Sequence, residues 1–354
     1  MRRGLMGWDQ NELPKSALEA RLARLKAAMA RDGFDAYLLY TNLVRPAAVC
    51  WLTGFTPYWI ESLLLVPGSG TPMLATALSK RVADWVKTTA WLDEIVNTPK
   101  PGTAVGQRLA ALGAKRAGVL EFDALPAGLY DDIVAAAPNA ELIEASAVFA
   151  SSRRVIDAAE RKLIERADAL AFAALAQVDT ATATDAGALA GLVEKHARLA
   201  AAEEAYIAIA ADLDADRRLV PVSGSVPLGR RFAVRASIAY KGAWARRIRT
   251  FTRDAAGSAA AARGAAWLDG VARSIAADRP LAAQLMGHGG TLSGAKLESF
   301  MAESVIRSYP LEVIASSRAP GGEPPAAGTF LVLTVDMTID GIPWLGAAPA
   351  FAGG

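Results

Sequence analysis

The 354-residue chain holds one cysteine and two histidines. A lone thiol, Cys50, cannot close an internal disulfide, and so few soft ligands exclude a Cys/His zinc cluster; a reducing compartment is the simplest expectation. No uninterrupted apolar run approaches the roughly 18 residues that a membrane span needs. The N-terminal stretch places Asp9, Gln10, Asn11 and Glu12 where a signal peptide requires its apolar segment, so a cytoplasmic protein is expected. The first 150 residues carry no Walker or dinucleotide glycine fingerprint. The 38 basic and 36 acidic residues nearly cancel, which gives no bulk preference for a polyanion. Aromatic residues are 7% of the chain and, apart from Phe232, Tyr240, Trp244 and Phe251, do not alternate with arginines as stacking platforms would; a nucleic-acid partner is not expected.

What is present is apolar surface. Hydrophobic residues make up 53% and charged residues 21%, enough to fold a chain of this length into about two domains. Residues 16–33 begin with Ser16 and Glu19 in capping-box spacing and then repeat Leu18, Leu22, Leu25 and Met29, which predicts an amphipathic helix. Short apolar runs at 36–40, 47–55, 62–66, 73–78 and 117–122, punctuated by Gly and Pro, predict strands. Helical stretches at 80–87 and 104–112 complete an α/β domain over residues 1–150 with a largely buried sheet. Beyond the boundary, Asp157 and Glu160 open a long helix, a second helix spans about 185–200, and strand patterns follow at 205–210, 232–240 and 246–251. A helix at 259–277, a glycine-rich turn GHGG at 287–290 and a strand at 330–339 follow. Residues 151–354 therefore read as an α+β domain.

Five phrases in this order resemble the creatinase and Xaa-Pro aminopeptidase family. They are TNLVRPAAVCWLTGF at 41–55, SRRVIDAAERKLIERA at 152–167, YKGAWARRIRTF at 240–251, GHGG at 287–290 and FLVLTVDM at 330–337. The resemblance implies an α/β N-terminal domain followed by a pita-bread catalytic-type domain, and a homodimer. It also implies two divalent metals held by two aspartates, a histidine and two glutamates. Carried over residue by residue, the two aspartates fall on Arg235 and Arg246, the histidine on His288 and one glutamate on Asp336. The last glutamate has no counterpart, because residues 341–354 contain no acid. Guanidinium groups repel cations, so the expectation is that no metal site forms and no cofactor is used. Creatinase, by the same resemblance, hydrolyses a C–N bond without metal.

The residues between 217 and 263 comprise ten arginines, Lys241 and a single acid, Asp254, a local charge of +10. Such a stretch can be a solvated strand face or a dimer rim; alternatively Arg235, Arg246 and Arg247 form a cationic pocket for a carboxylate, with Tyr240 beside them. His288 is a candidate general acid or base, with Asp336 orienting it. His196 falls on an apolar helical stripe and reads as packing, the Ser293/Lys296 pair as a chance S-x-x-K match, and Cys50 as a buried inert thiol. Two functions follow from this pattern. One is a metal-independent hydrolase of a small carboxylate-bearing C–N compound, catalysed by His288 and Asp336. The other is a non-catalytic protein that binds a small anionic or peptide-like ligand, a protein or a polyanion in the same cleft.

Overall fold

A computed structural model describes residues 8–57, 60–319 and 324–353. The chain divides into two compact units: one runs to Ala159 and also contains Val305–Pro310, the other comprises Glu160–Ser304 and the chain from Leu311.

In the first unit α1 (Lys15–Arg31) leads into β1 (Ala36–Thr41), α2 (Ala47–Thr53), β2 (Ser62–Pro67), β3 (Met73–Thr76), α3 (Ala83–Thr89) and β4 (Glu94–Asn97). Then come α4 (Pro101–Ala111), β5 (Arg116–Leu120), α5 (Ala127–Ala136), β6 (Glu141–Glu144) and α6 (Ser146–Arg153). Among the described residues the strands form one sheet ordered β4-β3-β2-β1-β5-β6, mixed in direction. Both faces of its centre are covered, with Tyr37, Leu39 and Leu64 against α1 and α2 on one side and Leu38, Leu63 and Leu65 against α4 and α5 on the other. Double coverage is why these strands are apolar throughout rather than alternating.

Two local expectations are corrected. The run at 47–55 is not a strand: Ala47–Thr53 form the helix α2, closed by Gly54 in the left-handed conformation at φ 75°. A short unbroken apolar run has no period that separates the two. The first helix starts from Pro14 and has no side-chain cap, so Ser16 lies inside it rather than at its cap.

The second unit contains α7 (Ala158–Leu175), α8 (Ala186–Leu199), β7 (Glu204–Ala210), β8 (Arg231–Tyr240), β9 (Ala243–Thr252), α9 (Ala255–Ser274) and α10 (Leu281–Gly289). It ends with β10 (Ala295–Ser304), β11 (Glu312–Ser316), β12 (Phe330–Ile339) and β13 (Ile342–Phe351). Its strands, among the described residues, form an antiparallel sheet ordered β11-β10-β12-β13-β9-β8-β7. On β12 Leu331, Leu333, Val335 and Met337 point to one face, where they pack with Leu268 of α9 and Leu285 of α10. The alternate residues Thr334, Asp336 and Thr338 are only partly buried and point to the other face. The sheet thus has a helix-covered apolar face and a polar face. This is the pita-bread architecture, reached by α/β and α+β units in the expected order.

Candidate functional site

Register decides which candidates meet, because cross-strand partners share a face. Ser237 opposes Arg246 and Arg235 opposes Ile248; Ile248 opposes Ala347, Ala347 opposes Thr334, and Leu345 opposes Asp336. Arg235, Arg246, Thr334 and Asp336 therefore lie on the polar face together. Glu303 joins them through its pairing with Val332 on β12.

Arg246 donates from Nε to Ser237 Oγ at 2.9 Å and from Nη1 to Glu303. That ion pair spans two intervening strands, β13 and β12, which a flat sheet would set about 14 Å across. Only a curled sheet and two long side chains let it close. Both partners are largely buried, with side-chain exposures of 15% and 7%.

Arg235 has no such partner. Its Nε is buried without a hydrogen bond, and among the described residues no carboxylate pairs with it. Burial first, and the Arg246 guanidinium second, hold Arg235 below the usual guanidinium range, while Glu303 partly opposes them. On the same face the hydroxyl of Thr334 is also buried without a partner. Buried polar atoms are nearly always satisfied, by protein, water or ligand, so these two orphans mark a place on the face where a hydrogen-bonding group fits.

Asp336 is held by an arginine rather than by a histidine. Arg217, in the segment between β7 and β8, donates to its Oδ1 at 2.6 Å and to Thr338 Oγ1 at 3.2 Å. Burial nevertheless raises the Asp336 carboxyl above its ordinary range, against the pull of Arg217 and with help from Glu298.

Three candidates lie elsewhere. Arg247, one residue from Arg246, projects to the helix-covered face, where it forks onto Asp168 of α7 at 2.5 and 2.8 Å and approaches Asp269 of α9. Burial would lower its guanidinium, but these carboxylates hold it raised. Tyr240 shares that face and packs beneath Arg166, whose guanidinium lies 5.8 Å from its ring centroid. His288 is in the helix α10, not in a glycine turn, and its Nε2 sits 3.2 Å from Ser274 Oγ of α9. Both helices cover the apolar face, so the sheet separates His288 from Asp336. The structure does not bring the two expected acid–base partners together.

Glu303, Ser237 and Arg217 were missed by sequence reasoning. Glu303 left a weak signal, an acid closing the otherwise apolar run FMA; Arg217 left none, because its partner is 119 positions away.

The pair of divalent ions implied by the resemblance does not fit this face. Asp336 and Glu303 each already hold a guanidinium, Glu298 beside them is taken up by Lys296 and Thr338, and two of the expected ligand positions are Arg235 and Arg246. Among the described residues no group of three or more His, Cys, Asp or Glu is arranged to hold a metal ion. No helix among them is long and apolar enough to cross a membrane.

Residues 21–155 match the Creatinase/Prolidase N-terminal domain. No curated protein matches the chain. Solved structures with the same fold include an Xaa-Pro dipeptidase from Bacillus anthracis, with TM-score 0.74 and 17% identity over 95% of both chains. The prolidase from Pyrococcus horikoshii gives TM-score 0.69 and 14% identity over 94% of this chain and 95% of its own. The N-terminal domain of FACT complex subunit SPT16 from chickpea gives 0.65 and 15% over 95% and 94%.

Proposed function

We propose, for a chain that carries the Creatinase/Prolidase N-terminal domain and folds throughout as the Xaa-Pro dipeptidases do, that it is a non-catalytic binder of a small anionic, peptide-like ligand. The observation that supports it is Arg235, a half-buried guanidinium to which no carboxylate is hydrogen-bonded among the described residues, beside an Arg246 already paired to Glu303. A ligand carboxylate would supply the missing charge and accept from Nε and an Nη in the two-pronged geometry that guanidinium favours. Ser237 and Glu303 hold Arg246 in place, and Thr334 offers a hydroxyl to the rest of the ligand.

Metal-independent hydrolysis is supported less. It requires a general base at the reacting atom, and His288 is across the sheet from Asp336 while Asp336 is engaged by Arg217. A structural neighbour named as a subunit of a complex rather than as an enzyme agrees with a binding role. A homodimer is part of the proposal, on the resemblance alone.

The test is a thermal-shift titration with N-acetylglycine, the smallest peptide-like carboxylate, accompanied by an assay for released glycine. The expected result is stabilisation of the wild-type chain, none of Arg235→Leu, and no release. Equal stabilisation of both chains, or turnover, would overturn the proposal.

A further inference from the structure

The polar face carries an aromatic surface next to its two arginines. Tyr206 of β7 opposes Ser237 of β8, and Trp244 of β9 opposes Ala239, so both rings rise from the same face as Arg235 and Arg246. Ser237 and Ala239 are small, which lets the rings meet over β8: they stack 6° from parallel with centroids 5.6 Å apart. Trp244 is buried in this stack, whereas Tyr206 is 44% exposed. Ile207, the next residue of β7, lines a crevice with Ala190, Gly191 and Glu194 of α8 on the opposite side of the sheet, so that helix leaves the Tyr206 ring open. The Tyr206 hydroxyl donates to the buried Glu204 at 2.5 Å, which holds the ring in place.

The direct partner of Arg235 on β7 is Ala208, so Tyr206 lies one strand across and two residues along. Diagonal neighbours of this kind are about 7–8 Å apart. A carboxylate held on Arg235 would place an N-acyl substituent, four bonds away in an acylated amino acid, over Tyr206. The charges near Arg235 favour the same class. Two guanidiniums, Arg235 and Arg246, share one carboxylate, Glu303, and Glu303 is hydrogen-bonded to Arg246. Asp336 is paired with Arg217 and Glu298 with Lys296, and Glu204 lies four residues along β7 from Ala208, roughly 13 Å further down the sheet. One negative charge is therefore wanted at Arg235. The free ammonium of an unblocked peptide would add a third cation beside the two guanidiniums, and a phosphate would bring more charge than the setting lacks.

We propose that the ligand of the polar face is an N-aroyl amino acid, its single carboxylate on Arg235 and its flat acyl group stacked on Tyr206. This rests on the reading of Arg235 as the residue that holds the ligand carboxylate, and it adds the group at the other end of the molecule.

The purified full-length chain is titrated calorimetrically with hippurate (N-benzoylglycine), N-acetylglycine and glycylglycine at low ionic strength. Hippurate should bind about tenfold more tightly than N-acetylglycine, the gain expected from burying and stacking one ring. Glycylglycine, whose ammonium comes close to the guanidiniums, should bind about tenfold more weakly than N-acetylglycine. Tyr206→Ser should bring the ratio of hippurate to N-acetylglycine affinity close to one, and Tyr206→Phe should restore it. Saturation-transfer NMR needs no variant: on the wild-type chain the phenyl protons of hippurate should be saturated more strongly than its methylene protons. Equal affinity for the two acylglycines, a ratio that Tyr206→Ser leaves in place, glycylglycine bound as tightly as N-acetylglycine, or stronger saturation of the methylene would overturn this inference while leaving Arg235 as the anion-holding residue. Binding of none of the three, or hippurate binding that Arg235→Leu leaves unchanged, would overturn that reading and this inference with it.

Discussion

Arg235 and Arg246 share one face of the second unit's sheet on adjacent strands, yet Glu303 pairs with Arg246 alone. Two guanidiniums in a partly buried setting with one hydrogen-bonded carboxylate are short of one negative charge, and several consequences can be measured.

Removing Glu303 should be costly. Glu303→Gln keeps the shape but leaves two buried cations uncompensated, and breaking a buried pair from one side typically costs about 3–5 kcal/mol. Denaturant unfolding should show a loss of that order, partly recovered by added carboxylate salts. A loss within experimental error would mean that the pair is solvated.

Arg235→Leu should behave in the opposite way. Replacing an unpaired, half-buried cation by an apolar side chain is expected to leave stability unchanged or raise it by about 1–2 kcal/mol. A clear loss of stability in the ligand-free chain would show that Arg235 is part of the scaffold.

Burial raises the Asp336 carboxyl above its ordinary range, so the folded chain holds that proton more tightly than the unfolded one. The stability this contributes is complete below the unfolded value and is lost as pH climbs through the raised folded value. Asp336→Asn cannot lose it, so its stability relative to wild type should improve as pH rises from below the ordinary carboxylate range. Asp254 provides the contrast. The Gly257 N–H first, and Arg231 next, lower its carboxyl, so its contribution appears above the unfolded value and is lost as pH falls. Asp254→Asn should therefore compare less well with wild type as pH rises. Parallel trends for the two variants would contradict this assignment.

Divalent metal should make little difference. A ligand that binds the folded state raises the unfolding midpoint, and a chelator reverses the shift. Neither EDTA nor added Mn²⁺ or Co²⁺ is expected to move the midpoint of this chain. A chelator-reversible rise would restore the two-metal centre to consideration.

The fold was legible because its signals are local or ordered along the chain. Leu18, Leu22, Leu25 and Met29 repeat at helical spacing, and the five family-like phrases occur in the order that the two units require. The site was legible only in part. Strand parity separates Arg246 from Arg247 and places Arg235 with Arg246, but parity cannot reveal that Glu303 reaches Arg246 over two strands or that Arg217 closes on Asp336. Those contacts arise from curvature of the sheet and from a long connecting segment, neither of which has a sequence period. His288 was misplaced because glycines around it suggested a turn; the apolar LAAQLM before it extends a helix through His288 instead.

The most direct measurement is calorimetric titration of wild type and Arg235→Leu with N-acetylglycine and with its neutral amide at low ionic strength. The wild-type chain should bind the carboxylate and not the amide, and Arg235→Leu should lose about tenfold or more in affinity, as expected for one charge-assisted contact. Equal affinity of the two chains for the carboxylate, or of the wild-type chain for carboxylate and amide, would contradict the assignment of Arg235 as the anion-holding residue.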